Sequence, residues 1–149
     1  MQGKTHLLAG LLIGLFLASL VPATVTKIAI IAFAIVGSLF PDVDIATSTL
    51  GRKVKLVGYL FTHRGFFHSF LLLVLLSIIF AELFFFLAGA SFFLGMFSHL
   101  LLDSITKEGL SFWPLQKRIK GSLKVGGFFE KILQLVLLAL FLVLLLAFI

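Results

Sequence analysis

The chain has 149 residues, of which 61% are hydrophobic and 12% charged, with a net charge of +6. A soluble domain is roughly 45–50% apolar and about 25% charged, and a chain of this size cannot hide such a surplus in a core. The surplus must face lipid. The absence of cysteine excludes disulfides and thiolate metal sites, so any metal is held by nitrogen and oxygen. The basic residues sit in loops beside apolar segments, which reads as membrane topology and attraction to anionic headgroups rather than nucleic-acid binding.

Five apolar segments follow in chain order: Leu7–Val21, Ala23–Phe40, Ser69–Ala88, Ala90–Leu102 and Phe128–Ile149. The third and fifth reach the roughly 20 residues that cross a bilayer core as a helix; the other three are shorter. The first two are expected to form a hairpin turning at Pro22, and the next two another turning near Gly89. The fold class is therefore all-α: a polytopic helical membrane protein with about five embedded helices, in a single domain over 1–149. With the N-terminus inside, Lys4, Arg52, Lys53, Lys55, Arg64, Lys107, Lys117, Arg118, Lys120, Lys124 and Lys131 share one side, and only Lys27 lies opposite. The positive-inside rule then gives a multi-pass plasma (inner) membrane protein, N-terminus cytoplasmic and C-terminus outside.

On that topology the histidines and half of the acids gather at one face. His6 precedes the first segment. Asp42 and Asp44 follow the second, His63 and His68 precede the third, and His99 and Asp103 close the fourth. His99 and Asp103 are four apart, on one face of a helix. One aspartate of Pro41-Asp42-Val43-Asp44 is expected to ligate while the other bridges ions or orients a histidine. A lone interfacial histidine is ordinarily just amphipathic, and aspartates after a proline ordinarily shape a turn. His99 and Asp103 resist the bland reading, because ionisable residues in an apolar helix are costly. Glu82 stands apart and reads as a packing or polar-contact residue.

Seven nitrogen and oxygen donors exceed the four of a structural zinc site and suit one or two divalent ions. Zinc is favoured, with manganese, iron or magnesium open. Such ions activate water for phosphoester hydrolysis. Arg64, with Lys53, Lys55, Lys117 and Arg118, is expected to bind phosphate oxygens, and Asp44 to act as general base. The expected function is a metal-dependent hydrolase cleaving a lipid phosphoester at the cytoplasmic interface, with the bilayer and a lipid phosphate as partners. The alternative is a non-enzymatic metal-binding protein: a transporter, sensor or partner-binding anchor.

Thr5-His6, Phe40-Pro41-Asp42-Val43-Asp44, His63-Arg64-Gly65-Phe66-Phe67-His68-Ser69 and Ser98-His99-Leu100-Leu101-Leu102-Asp103, followed by Thr106, Gly109 and Pro114, resemble the YdjM-like inner-membrane metal-dependent hydrolases. The resemblance implies a hydrolase with these residues in its metal site. A more distant likeness is to zinc-dependent phospholipases C and single-strand-specific zinc nucleases. Those enzymes carry further ligands after their His-x-x-x-Asp pair, whereas this chain has no histidine beyond His99. One or two ions is accordingly the expected count.

Overall fold

The computed structural model describes residues 1–44, 66–112 and 117–148. Five α-helices make up the body: α1 (Gly3–Ser19), α2 (Thr24–Leu39), α3 (Phe70–Leu83), α4 (Phe86–Ser104) and α5 (Phe128–Phe148). Short 3₁₀ turns at Phe40–Asp44 and Phe66–His68 extend α2 and lead into α3. Between α4 and α5 lies a small antiparallel hairpin, β1 (Leu110–Phe112) and β2 (Lys117–Ile119), with Leu110 opposite Ile119. The protein is an all-α membrane protein with this one hairpin added.

Three stretches are long and apolar enough to cross a bilayer: Thr24–Asp44, Phe86–Ser104 and Phe128–Phe148. This differs from the sequence expectation in which segments are long. The third segment becomes the shortest helix, 14 residues, and the fourth becomes one of 19. The chain turns at Phe84 and Phe85, where Phe85 is fully extended, and not at Gly89. Glu82 explains the early end: its side chain is exposed rather than packed, and a carboxylate costs least where the helix leaves hydrocarbon. Gly89 instead lies inside α4, where an added Cβ would stand 2.3 Å from the Ser77 carbonyl oxygen. It is a close-contact residue between α3 and α4.

The helices alternate in direction. The start of α1, the end of α2, the start of α3, the end of α4 and the start of α5 all meet at one end of the bundle. Thr5 bonds Glu130 and Gln134 there, and His99 bonds Ser38. At the other end Lys27 sits over the Phe148 ring.

Two pairings hold the centre: α2 with α1 and with α4. Glycines let α2 and α4 touch through their backbones. A Cβ on Gly95 would meet the Ala34 carbonyl oxygen at 2.2 Å, and one on Gly37 the Phe92 carbonyl oxygen at 2.3 Å. Small residues serve this purpose in membranes, where helices associate by close van der Waals contact rather than by escaping water. Around that seam pack Leu73, Phe92, Met96, Leu100 and Leu110, with Phe92 edge-on to Phe80 and Phe40. Helix α5 packs chiefly along α1. A groove of about 550 Å³ between α1, α4 and α5 is lined only by apolar side chains, among them Leu12, Phe16, Leu94 and Leu144.

Candidate metal centre

Each donor reaches the site end by a local feature of its sequence. The start of α1 places His6 facing inward, buried completely. At the end of α2, Pro41 has no N–H to continue the helical ladder, and the chain tightens into a 3₁₀ turn over Phe40–Asp44. With three residues per turn, positions two apart point about 120° away from each other. The two aspartates therefore meet different histidines: Asp42 Oδ1 is 3.7 Å from His99 Nε2, and Asp44 Oδ2 is 3.5 Å from His68 Nδ1. His68 immediately precedes Ser69, whose hydroxyl accepts the Leu72 N–H at 3.1 Å and caps α3. That cap fixes the angle at which His68 enters the site.

His99 and Asp103 come from the last turns of α4 and face inward together, Nε2 to Oδ2 at 3.8 Å. Asp103 also approaches His6 Nε2 at 3.4 Å and His68 Nε2 at 3.9 Å, and pairs with the Met1 amino group. A carboxylate at the C-terminal end of a helix sits in the unfavourable half of the macrodipole. The Met1 amino group offsets that.

The geometry of His99 and His6 is compatible with ligation. His99 Nδ1 lies 2.7 Å from the Ser38 carbonyl oxygen. Ser38 is near the end of α2, among the carbonyls a helix leaves without intrahelical partners. A ring donating Nδ1–H to that carbonyl keeps its Nε2 lone pair for a metal, the usual way proteins orient a metal-binding imidazole. Among the described residues, that Nε2 and both ring nitrogens of His6 have no hydrogen-bond partner despite full burial. Buried polar groups are ordinarily satisfied, so these orphaned nitrogens point to a group that protein atoms alone do not supply.

Two triplets of donor atoms, each within 4.8 Å of one another, are formed by His6, Asp42 and His99 and by His68, His99 and Asp103. Two donors bound to one ion at about 2.0–2.2 Å lie roughly 3–4 Å apart at ordinary bond angles. The observed separations of 3.4–3.9 Å across the cluster are of that size. The residues present therefore fit a nitrogen- and oxygen-coordinated divalent ion.

The sequence-expected residues divide cleanly. His6, Asp42, Asp44, His68, His99 and Asp103 are brought together. His63, Arg64, Lys53 and Lys55 lie outside the described residues. Lys117 opens β2, and Arg118 beside it is exposed on the hairpin that contacts the Phe66–His68 turn through β1. Thr106 and Gly109 have structural duties. The Thr106 hydroxyl donates to the Asp103 carbonyl at 2.8 Å, and Gly109 takes φ 67° to enter β1. Sequence reasoning missed two contributors: the Ser38 carbonyl, which no side-chain pattern reveals, and Glu130, an acid at the head of an apolar helix.

The model of the family described as YdjM inner membrane protein matches residues 1–149. The chain belongs to the YdjM inner-membrane family. The chain is 34% identical to the uncharacterized protein YvsG of Bacillus subtilis (strain 168), over 89% of this chain and 86% of that one. The inner membrane proteins YdjM of Escherichia coli (strain K12) and Shigella flexneri are each 35% identical over 61% of this chain. The matched stretch spans 52% of each of those two YdjM proteins. No solved structure matches the chain.

Proposed function

We propose that this YdjM-family protein is a membrane-embedded metal-dependent hydrolase that cleaves a phosphoester of a lipid with metal-activated water. The observation that carries the reading is the set of fully buried imidazole nitrogens, both of His6 and Nε2 of His99, that make no hydrogen bond among the described residues yet lie near the carboxylates of Asp42 and Asp103. His6, Asp42, His68, His99 and Asp103 would hold one or two ions, zinc by preference. Bound there, such ions lower the pKa of water and polarise a phosphoryl oxygen.

The protein's own groups have separable tasks. Ser38 and Asp44 hold the rings of His99 and His68 in place. Asp44, buried beside His68, is positioned to take up a proton released in the site. Arg64 binds phosphate oxygens through its planar fork, and Lys53, Lys55, Lys117 and Arg118 add positive potential for an anionic headgroup. The site end faces the cytoplasm, where the positive-inside rule puts the eleven basic residues counted from the sequence. A site at helix ends lies at headgroup depth, which supports a lipid substrate. A midplane location would instead suit a transporter.

The test is metal content and phosphate release on one preparation, purified in detergent and offered phospholipids and lipid phosphates. Stoichiometric metal with turnover is expected. Arg64→Ala should keep the metal and lose turnover, with Arg64→Lys restoring part of it. Stoichiometric metal with no cleavage across the panel would move the reading to a non-enzymatic metal-binding protein.

A further inference from the structure

Helix α5 is 21 residues long, and its one buried residue among those described is an acid, Glu130. At 1% exposure, that carboxylate needs partners, and it finds them at the start of α1. Oε1 accepts the Gln2 N–H and the Thr5 hydroxyl, each at 2.7 Å. Oε2 accepts the N–H of Gly126 at 2.6 Å, a residue whose φ of 72° bends the chain back toward its own helix. One turn along α5, Gln134 Nε2 bonds the Thr5 hydroxyl at 2.9 Å and Gln2 Oε1 at 3.2 Å.

Helix α1 cannot secure this end itself. Its first turn has no acidic residue and its N-cap residue, Gln2, makes no capping side-chain bond. Glu130 supplies both needs from another helix: an acceptor for an orphan N–H and a negative charge at the positive end of the dipole. The residue after Thr5 is His6, whose ring nitrogens have no hydrogen bond of their own to orient them. The backbone turn that Glu130 grips thus sets where that imidazole enters the site, where it stacks on His99 and approaches Asp103.

We propose that Glu130 is a positioning residue for the metal centre, acting through Thr5 and the first turn of α1 to aim His6. The inference rests on the metal-centre reading above. Partners of this kind behind a ligand typically change metal affinity 10–100-fold. The clean test is Co²⁺ binding to the purified full-length protein in detergent, read by chelator competition and by the visible d–d spectrum. Glu130→Ala should weaken Co²⁺ by at least about tenfold and alter the spectrum. Glu130→Gln, whose amide oxygen still accepts from Gln2 and Thr5, should lose less.

The same substitutions in a His6→Ala background separate positioning from general stability. There, Glu130→Ala should cost no further affinity, because the ligand it aims is gone. Should Glu130→Ala fail to give a monodisperse protein, Glu130→Gln carries the comparison. Wild-type affinity and spectrum in the folded Glu130 variants would overturn the proposal while leaving the metal centre standing, and so would an equal loss in the His6→Ala background. A wild-type protein that binds no Co²⁺ would overturn both.

Discussion

The imidazoles of His6 and His99 stack face to face, 3.7 Å between centroids and 16° from parallel. Both rings are fully buried. The stacking also brings nitrogens from α1 and α4 to the same small volume, although the two residues lie 93 positions apart in the chain.

Removing the ring that belongs to both triplets should empty the centre. His99→Ala is expected to reduce bound metal to background in elemental analysis, whereas Glu82→Gln, at the far end of the bundle, should keep the wild-type amount. Wild-type metal content in His99→Ala would dismiss the centre as drawn.

The two aspartates of the 3₁₀ turn should differ in kind. Asp44 faces the Nδ1 side of His68, so Asp44→Asn should weaken metal binding by about 10–100-fold, the usual effect of losing a carboxylate behind a histidine. Asp42 approaches the lone-pair nitrogen of His99, so Asp42→Asn removes a ligand and should cost more. Chelator competition on both variants measures the order; Asp44→Asn as the more damaging change would reverse the two roles.

Backbone contact between α2 and α4 should be intolerant of a single methyl group. Gly95→Ala forces the helices apart where the added carbon would sit 2.2 Å from the Ala34 carbonyl oxygen. Overpacking of this sort costs about 1–3 kcal/mol. A lower melting temperature in detergent is expected, together with weaker metal binding, because His99 lies one turn beyond Gly95 and Ser38 one turn beyond Ala34. An unchanged melting temperature would show that the seam is looser than drawn.

The first and last helices start at the same end of the bundle and run side by side, so the two chain ends lie on opposite faces. Reporter fusions should give an active periplasmic-type phosphatase and a dark fluorescent protein at the C-terminus. A bright C-terminal fluorescent fusion with silent phosphatase would reverse the sidedness or change the number of crossings.

Much of this was legible because water-loving atoms are expensive in an apolar chain. Histidines and acids at the ends of hydrophobic segments marked the site, and five segments became five helices. The hairpin break was misplaced because glycine is read as a turn signal, although between membrane helices it more often permits contact; Gly89 does the latter. The exposed carboxylate of Glu82 was the better marker of the helix end. The Ser38 carbonyl carries no side-chain signature at all. Glu130 was in plain view as an acid opening an apolar helix, but its partners lie some 125 positions earlier and only the packing of α5 on α1 reveals them.

The dependence of α1 on Glu130 bears on the order of biogenesis. The residues that converge on the centre are complete once α4 has been made, yet the first turn of α1 stays without its outside cap until α5 follows. A nascent chain arrested before α5 would carry His6, Asp42, His68, His99 and Asp103, with the start of α1 held by Asp103 and His99 of α4 but lacking the Glu130 bonds. On the proposed reading, the complete ligand geometry therefore follows the last helix rather than α4.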